Sequence, residues 1–278
     1  MARGNSDRRL VVNADDFGGS RSVNEAVIRA HREGILTTAS LMVNGSAAAE
    51  AIALAQANPR LGVGLHLVLV CGASSLQHEK IPGLTNSTGR FSESPVAAGL
   101  RYFFCRGLQD ELFSEIDAQF EEFRRTGLFL DHVNGHLNMH LHPVILDLLI
   151  RHADRWGIER MRLTHDPLAV NRRLAPGRWG YRLAHAFIFH ALSSPARRRL
   201  HRCGITHTDR VFGLLQNGRV DEEYVYRLLD ALPDGTSELY SHPSTEKFKH
   251  EMDALISPRV KSRVRDQGIH LVRYQDLS

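Results

Sequence analysis

Apolar positions recur along this chain in two rhythms, short β-rich runs and longer stretches with helical spacing. Residues 9–14 (RLVVNA) read as a buried strand that ends on Asp15, Asp16 and Phe17. A helix follows over 22–33, with Val23, Ala26, Val27 and Ala30 on one face and Gly34 as its stop. Further strands are expected at 35–43, 61–69 and 128–134, with a small-residue helix at 46–57 that Asn58-Pro59 ends. A Gly-, Ser-, Thr- and Pro-rich loop is expected from about 71 to 99. Phe113, Ile116, Phe120 and Phe123 make an amphipathic helix of 110–126. Pro143 opens a helix that reaches Trp156. A short strand at 159–163, a helical insert at about 167–206, strands near 207–211 and 236–241, and a last strand at 269–273 complete the pattern.

Strand and helix alternate throughout, which predicts an α/β fold with a parallel sheet. No linker or repeat divides the chain, so one domain over 1–278 is expected. The polar residues of interest stand at strand ends: Asp15-Asp16, His66, Asn134 to His136, Arg162 and His242. A (β/α) barrel builds its active site at that end. A single TIM-like barrel is therefore expected, complete or distorted to seven strands.

Composition excludes several classes. Of 278 residues, 42% are apolar and 24% charged, the balance of a globular chain and not of a disordered one. Cys71, Cys105 and Cys203 form no CxxC pair or disulfide framework. The opening MARGNSDRRL lacks the apolar stretch of a signal peptide. A reducing cytoplasm is the expected compartment. Sixteen histidines are the unusual count.

Adjacent carboxylates leaving an apolar strand, as in Asn13-Ala14-Asp15-Asp16-Phe17, repel each other unless paired. A divalent cation relieves this, with one Asp as ligand and the other as base; a helix N-cap is the structural alternative. His66 lies within GVGLHLVL, where taken alone a satisfied core histidine is the favoured reading, until a metal cluster is needed nearby. The run DHVNGHLNMHLHP at 131–143 carries His132, His136, His140 and His142, and spacing alone does not say which of them bind metal. His242, before Pro243 at a strand end, suits a general acid.

These residues together resemble the YdjC/ChbG-like carbohydrate deacetylases: NADDFG at 13–18, GLHLVL at 65–70, GHLNMHLHP at 135–143, SHP at 241–243 and YQDL at 274–277. Within the family the resemblance is to the hopanoid-biosynthesis-associated HpnK branch. It implies hydrolysis of an N-acetyl group from an amino sugar, with a divalent cation, magnesium foremost and zinc as the alternative. Matched position by position, it implies Asp16, His66 and His136 as metal ligands and Asp15 as base. His242 as acid and Arg162 as the orienting partner of Asp15 are further transfers. Where the family usually carries two more histidines this chain has Leu137 and Asn138. The hopanoid branch implies a lipid-linked N-acetylglucosamine substrate, other members imply chitooligosaccharides, and the family implies a homodimer. A glycosidase or phosphoesterase on the same barrel and a sugar- or lipid-binding protein without catalysis are the rivals. A glycosidase needs two carboxylates flanking the bond, which suits the His-rich set poorly.

One feature stands outside the resemblance. Residues 167–208 hold eight arginines (Arg172, Arg173, Arg178, Arg182, Arg197, Arg198, Arg199, Arg202) and no acid. Taking these eight from the net +4 leaves the rest of the chain at −4. Interleaved aromatic residues make Arg172 to Arg202 an expected contact for an anionic membrane, such as the inner surface of the inner membrane, with a packed helix or dimer contact as the alternative. No nucleic-acid motif accompanies the charge.

Overall fold

A computed structural model describes residues 7–277. Its elements run β1 (Arg8–Phe17), α1 (Arg21–Glu33), β2 (Thr38–Leu41), α2 (Ala48–Gln56), β3 (Gly62–Leu67), α3 (Pro95–Phe104), α4 (Gln109–Arg125), β4 (Leu130–Gly135), α5 (Pro143–Arg151) and α6 (Ala153–Trp156). They continue with α7 (Leu168–Leu174), α8 (Trp179–Arg202), β5 (Arg210–Phe212), α9 (Glu222–Ala231), β6 (Gly235–Ser241), α10 (Lys249–Ile256), α11 (Pro258–Asp266) and β7 (His270–Leu271). Residues 1–6 and 278 lie outside the described residues, and with them most of the opening MARGNSDRRL.

The strands form one parallel sheet in the order β4-β3-β2-β1-β6-β5, and β7 pairs with the start of β1. Leu10, Val12 and Ala14 of β1 join the main apolar core. The alternate positions Val11, Asn13 and Asp15 face the concave side, where Val11 packs on Tyr274 and Leu277. The main core therefore lies between sheet and helices, while the concave side is polar: Asn13, Asp15, Thr38, Ser40, His66, His132, Asn134 and Glu238 are all buried there.

The fold is a distorted TIM-like barrel and not a closed one. The expected strand at 159–163 is the reason. Its residues make single parallel bridges, Met161 to Val133 and Arg160 to Thr206, in place of a ladder. The pairing is intermittent: β4 ends at Gly135, and beyond Thr206 the chain returns to this segment through the Val211 N–H bond to the His165 carbonyl. Two other expectations need correction. The loop expected to 99 ends earlier, because Ser94 caps α3 and Pro95 occupies its first turn. The helix expected over 143–156 breaks at His152 into α5 and α6.

The insert at about 167–206 folds as α7 and α8. Its arginines divide. Arg182 is fully buried and donates to the carbonyls of Asn171, Ala175 and Leu215, which ties α8 to α7 and to the chain after β5. Arg199 pairs with Asp147 of α5, and Arg197 donates to the Asp209 carbonyl. Arg172, Arg173, Arg198 and Arg202 are exposed. No helix among the described residues is long and apolar enough to cross a membrane.

Candidate metal centre and catalytic carboxylate

The site begins with a bulge. β1 pairs with β2 through Ala14↔Ala39 and then Phe17↔Leu41, so one extra residue enters β1 at its C-terminal end. Asp16 takes a left-handed conformation there, φ 63°. Aspartate tolerates this better than most side chains, at a cost of about 1–3 kcal/mol that the surrounding structure must offset. The kink lets two adjacent carboxylates aim at different partners. Gly18, at φ +91°, completes the turn: a Cβ there would lie 2.9 Å from the Met42 carbonyl oxygen. Its N–H donates to the Asn24 side chain of α1.

Asp16 meets His66 from β3 and His136 from the turn after β4. Its Oδ1 lies 3.2 Å from His66 Nε2 and 3.0 Å from His136 Nδ1. Among the described residues this is the one group of three such side chains close enough to share an ion. Two ligand atoms each about 2.1 Å from a cation and roughly 90–110° apart are separated by about 3.0–3.4 Å. The observed distances fit that geometry.

The protons support the same reading. His66 Nδ1 lies 2.7 Å from Asn134 Oδ1 and donates its hydrogen to it. The Asn134 amide nitrogen is committed elsewhere, to Ser40 Oγ at 2.8 Å and Asp15 Oδ1 at 3.2 Å. A neutral His66 then turns an Nε2 lone pair toward a carboxylate oxygen. That contact is repulsive unless a cation or an added proton lies between them. Burial alone would raise the Asp16 carboxyl; a proton on each facing nitrogen of His136 and His66, standing where a cation would, holds it well below the usual carboxylate range. The donor set, one carboxylate and two imidazoles, suits zinc and other divalent first-row ions.

Asp15 stands beside this cluster and outside it. Arg162 grips it with both terminal nitrogens, Nη1 to Oδ2 and Nη2 to Oδ1, each at 2.8 Å. Asn13 Nδ2 adds a bond to Oδ1 at 2.8 Å. Burial works to raise the Asp15 carboxyl, and the Arg162 charge together with its hydrogen bonds outweighs it, so Asp15 remains ionised well below its ordinary range. Oδ1 accepts three donors and Oδ2 one. Oδ2 therefore keeps a lone pair for a proton from solvent. Asp15 reaches a cavity of about 310 Å³, which it shares with His242, Tyr240, Asn138 and Leu137.

His242 follows β6, with its backbone N–H held by Glu251 and its ring edge-on to Tyr240 at 5.7 Å. It faces the same cavity as Asp15. All six side chains proposed from the sequence are thus brought to one end of the sheet. Of the histidines left open, none joins Asp16. His132 lies deeper, between Asp131 and Ser40. His140 is buried against the Arg162 carbonyl, and its pKa is pushed down to about 3 by burial and the Arg162 charge. His142 bonds the Gly99 carbonyl of α3.

Glu238 is a site residue that sequence reasoning missed. It sits fully buried in β6, accepts from Arg162 Nη2 at 2.6 Å and from the Tyr274 hydroxyl at 2.5 Å, and so anchors the far side of the guanidinium. The signal was a lone acid in a strand, GTSELYS, at a position facing inward.

The YdjC-like protein family matches residues 9–266. The chain belongs to the YdjC-like family. A carbohydrate deacetylase of Geobacillus stearothermophilus is 29% identical over 97% of this chain and 98% of its own length. A chitooligosaccharide deacetylase of Enterobacter sp. is 28% identical over 98% and 100%. A carbohydrate deacetylase of Brevibacillus brevis is 39% identical over 150 residues, 54% of this chain, and the match spans 57% of that relative's length. Among solved structures, an Enterococcus faecalis protein described as a cellobiose-phosphate cleavage protein has a TM-score of 0.74 at 22% identity, covering 98% of this chain and all of that one. That likeness speaks to the fold this YdjC-like chain adopts.

Proposed function

We propose that this protein is a metal-dependent N-deacetylase that hydrolyses the acetamide of an N-acetylglucosamine-type sugar. The observation that carries the reading is the arrangement of Asp16, His66 and His136, whose lone pairs converge as for a cation, with the ionised Asp15 carboxylate beside them. Family membership and relatives described as carbohydrate and chitooligosaccharide deacetylases agree with it. A divalent cation held by the three ligands, magnesium or zinc, would polarise the amide carbonyl and acidify water. Asp15 Oδ2 accepts the proton as water attacks. Arg162 keeps that carboxylate oriented and ionised. His242, across the same cavity, protonates the departing amine.

The finer reading is a lipid-linked amino sugar, an N-acetylglucosaminyl hopanoid. Its support is the wall of the cavity. Val96, Leu137 and Phe189 line both the cavity at Asp15 and an adjoining hollow of about 460 Å³ that continues along Leu100, Phe103 and Phe104 of α3. Phe104 is 72% exposed at this rim, and Phe187 of α8 is 76% exposed. Apolar rims of this kind mark ligand or membrane contacts. The exposed arginines of α7 and α8 suit an anionic membrane surface, although Arg182, Arg197 and Arg199 serve internal contacts.

The test is free acetate measured from an N-acetylglucosaminyl hopanoid and from diacetylchitobiose, side by side. The reading expects acetate, lost on chelation and restored by Mg2+ or Zn2+, with the lipid-linked substrate faster. Acetate from neither substrate overturns the deacetylase reading; equal rates overturn the lipid-linked one.

A further inference from the structure

We infer that Asp131, His132 and Ser40 form a buried positioning line that fixes the two asparagine amides around Asp15, and through them the proton on His66. The inference rests on the reading of Asp15 as the base.

Donor and acceptor accounting carries it. Ser40 Oγ, fully buried, receives N–H bonds from Asn13 Nδ2 at 2.9 Å and Asn134 Nδ2 at 2.8 Å. A hydroxyl has two lone pairs and one hydrogen, so both acceptor places are taken. Its own hydrogen must go to the remaining neighbour, His132 Nε2 at 3.0 Å. That nitrogen is then unprotonated, and the ring hydrogen sits on Nδ1, 2.9 Å from Asp131 Oδ2. The other Asp131 oxygen accepts from the Gln275 backbone N–H. Each amide oxygen has its own donor: Thr38 Oγ1 to Asn13 Oδ1 at 2.7 Å, and His66 Nδ1 to Asn134 Oδ1 at 2.7 Å. Each amide nitrogen therefore spends one hydrogen on Ser40 and the other on Asp15 Oδ1.

The line orients groups and does not pass protons, because two amides interrupt it. Were the Ser40 hydrogen to point back at the amides, one of them would have to present its oxygen to Ser40. For Asn134 that would remove the acceptor from His66 Nδ1 and a donor from Asp15.

The surroundings make room for this line. β4 carries a bulge between its pairings Val63↔Leu130 and Leu65↔Val133, which turns both Asp131 and His132 to the concave side. Gly62 and Gly64 of β3 leave the space. A Cβ at Gly62 would lie 2.8 Å from Asp131 Cγ, and one at Gly64 would lie 2.5 Å from His132 Cε1. Tyr274 stacks on the His132 ring with centroids 4.5 Å apart.

The test compares Ser40→Ala, His132→Phe and His132→Gln with Asp15→Asn, reading kcat and KM for acetate release from octyl N-acetylglucosaminide, Zn2+ affinity and histidine 15N spectra. Ser40→Ala and His132→Phe are expected to lower kcat about tenfold or more with KM within twofold, and to weaken Zn2+ binding. His132→Gln, whose side-chain oxygen still accepts from Ser40, recovers most of that loss. The spectra are expected to show His132 protonated at Nδ1 alone. If His132→Phe does not fold, Ser40→Ala and the spectra decide. Wild-type kcat and Zn2+ affinity in Ser40→Ala, or a proton on His132 Nε2, overturns the inference while Asp15→Asn stays inactive. An active Asp15→Asn overturns the base reading instead.

Discussion

Arg162→Met removes the charge on which two buried carboxylates depend. Arg162 is fully buried, holds Asp15 through two bonds of 2.8 Å, and holds Glu238 through bonds of 2.6 and 3.0 Å. Without it Asp15 keeps two amide donors and Glu238 keeps the Tyr274 hydroxyl. Leaving one buried charge without its partner costs about 3–5 kcal/mol, and here one substitution strands two. The upper part of that range is expected at neutral pH, a fall in Tm of roughly 10 °C or more for a chain of this size. The pH dependence carries the sign. In the wild type the Asp15 carboxyl lies below its unfolded value, so its contribution is present above about pH 4 and lost as pH falls through the depressed folded value. In the variant, burial without the guanidinium raises the Asp15 carboxyl. Its protonated form favours the folded state at low pH, and that advantage is lost as pH rises through the raised value. Urea unfolding followed by tryptophan fluorescence at pH 4.5 and 7.5 measures both. The variant should lose most stability at pH 7.5 and show a flattened or reversed trend. Unchanged midpoints at both pH values would refute the reasoning.

Further outcomes follow from the same geometry. Asp15→Asn should keep the bound cation and lose about 10²–10⁴-fold in kcat, by metal analysis alongside acetate release. Gly18→Ala, at φ +91° and against the Met42 carbonyl, should cost more than about 1 kcal/mol in urea unfolding and weaken Zn2+ binding by displacing Asp16. Phe187→Asp, at a side chain 76% exposed on α8, should change stability by less than about 0.5 kcal/mol. It should nevertheless reduce both turnover of lipid-linked substrate and flotation with anionic liposomes; unchanged flotation and turnover would remove α8 from the docking surface.

Much of the site was legible because its chemistry stands where β-strands end. Asp15, Asp16, His66, His136, Arg162 and His242 are each short in sequence from an apolar run, and a parallel sheet carries such positions to one side. What the sequence hid depends on pairing partners. Glu238 stands out only as a lone acid in β6, and its role comes from Arg162, 76 positions away. His132 looked like its neighbours, but it lies at the bulge inside β4, whereas His136 follows the strand's end beside Asp16. The strand expected at 159–163 has the right residues, but it meets its neighbours through single bridges and not through a ladder. The arginine-rich insert read as one basic surface. Arg182 inside it is buried on backbone carbonyls, a role composition cannot reveal.

The central claim is one cation shared by Asp16, His66 and His136. Isothermal titration of chelator-treated protein with Zn2+ and with Mg2+ tests it most directly, using wild type, Asp16→Asn, His66→Ala and His136→Ala. One equivalent should bind the wild type, with at least a tenfold loss of affinity in each variant. Absence of binding by the wild type, or unaltered affinity when His136 is removed, would contradict it.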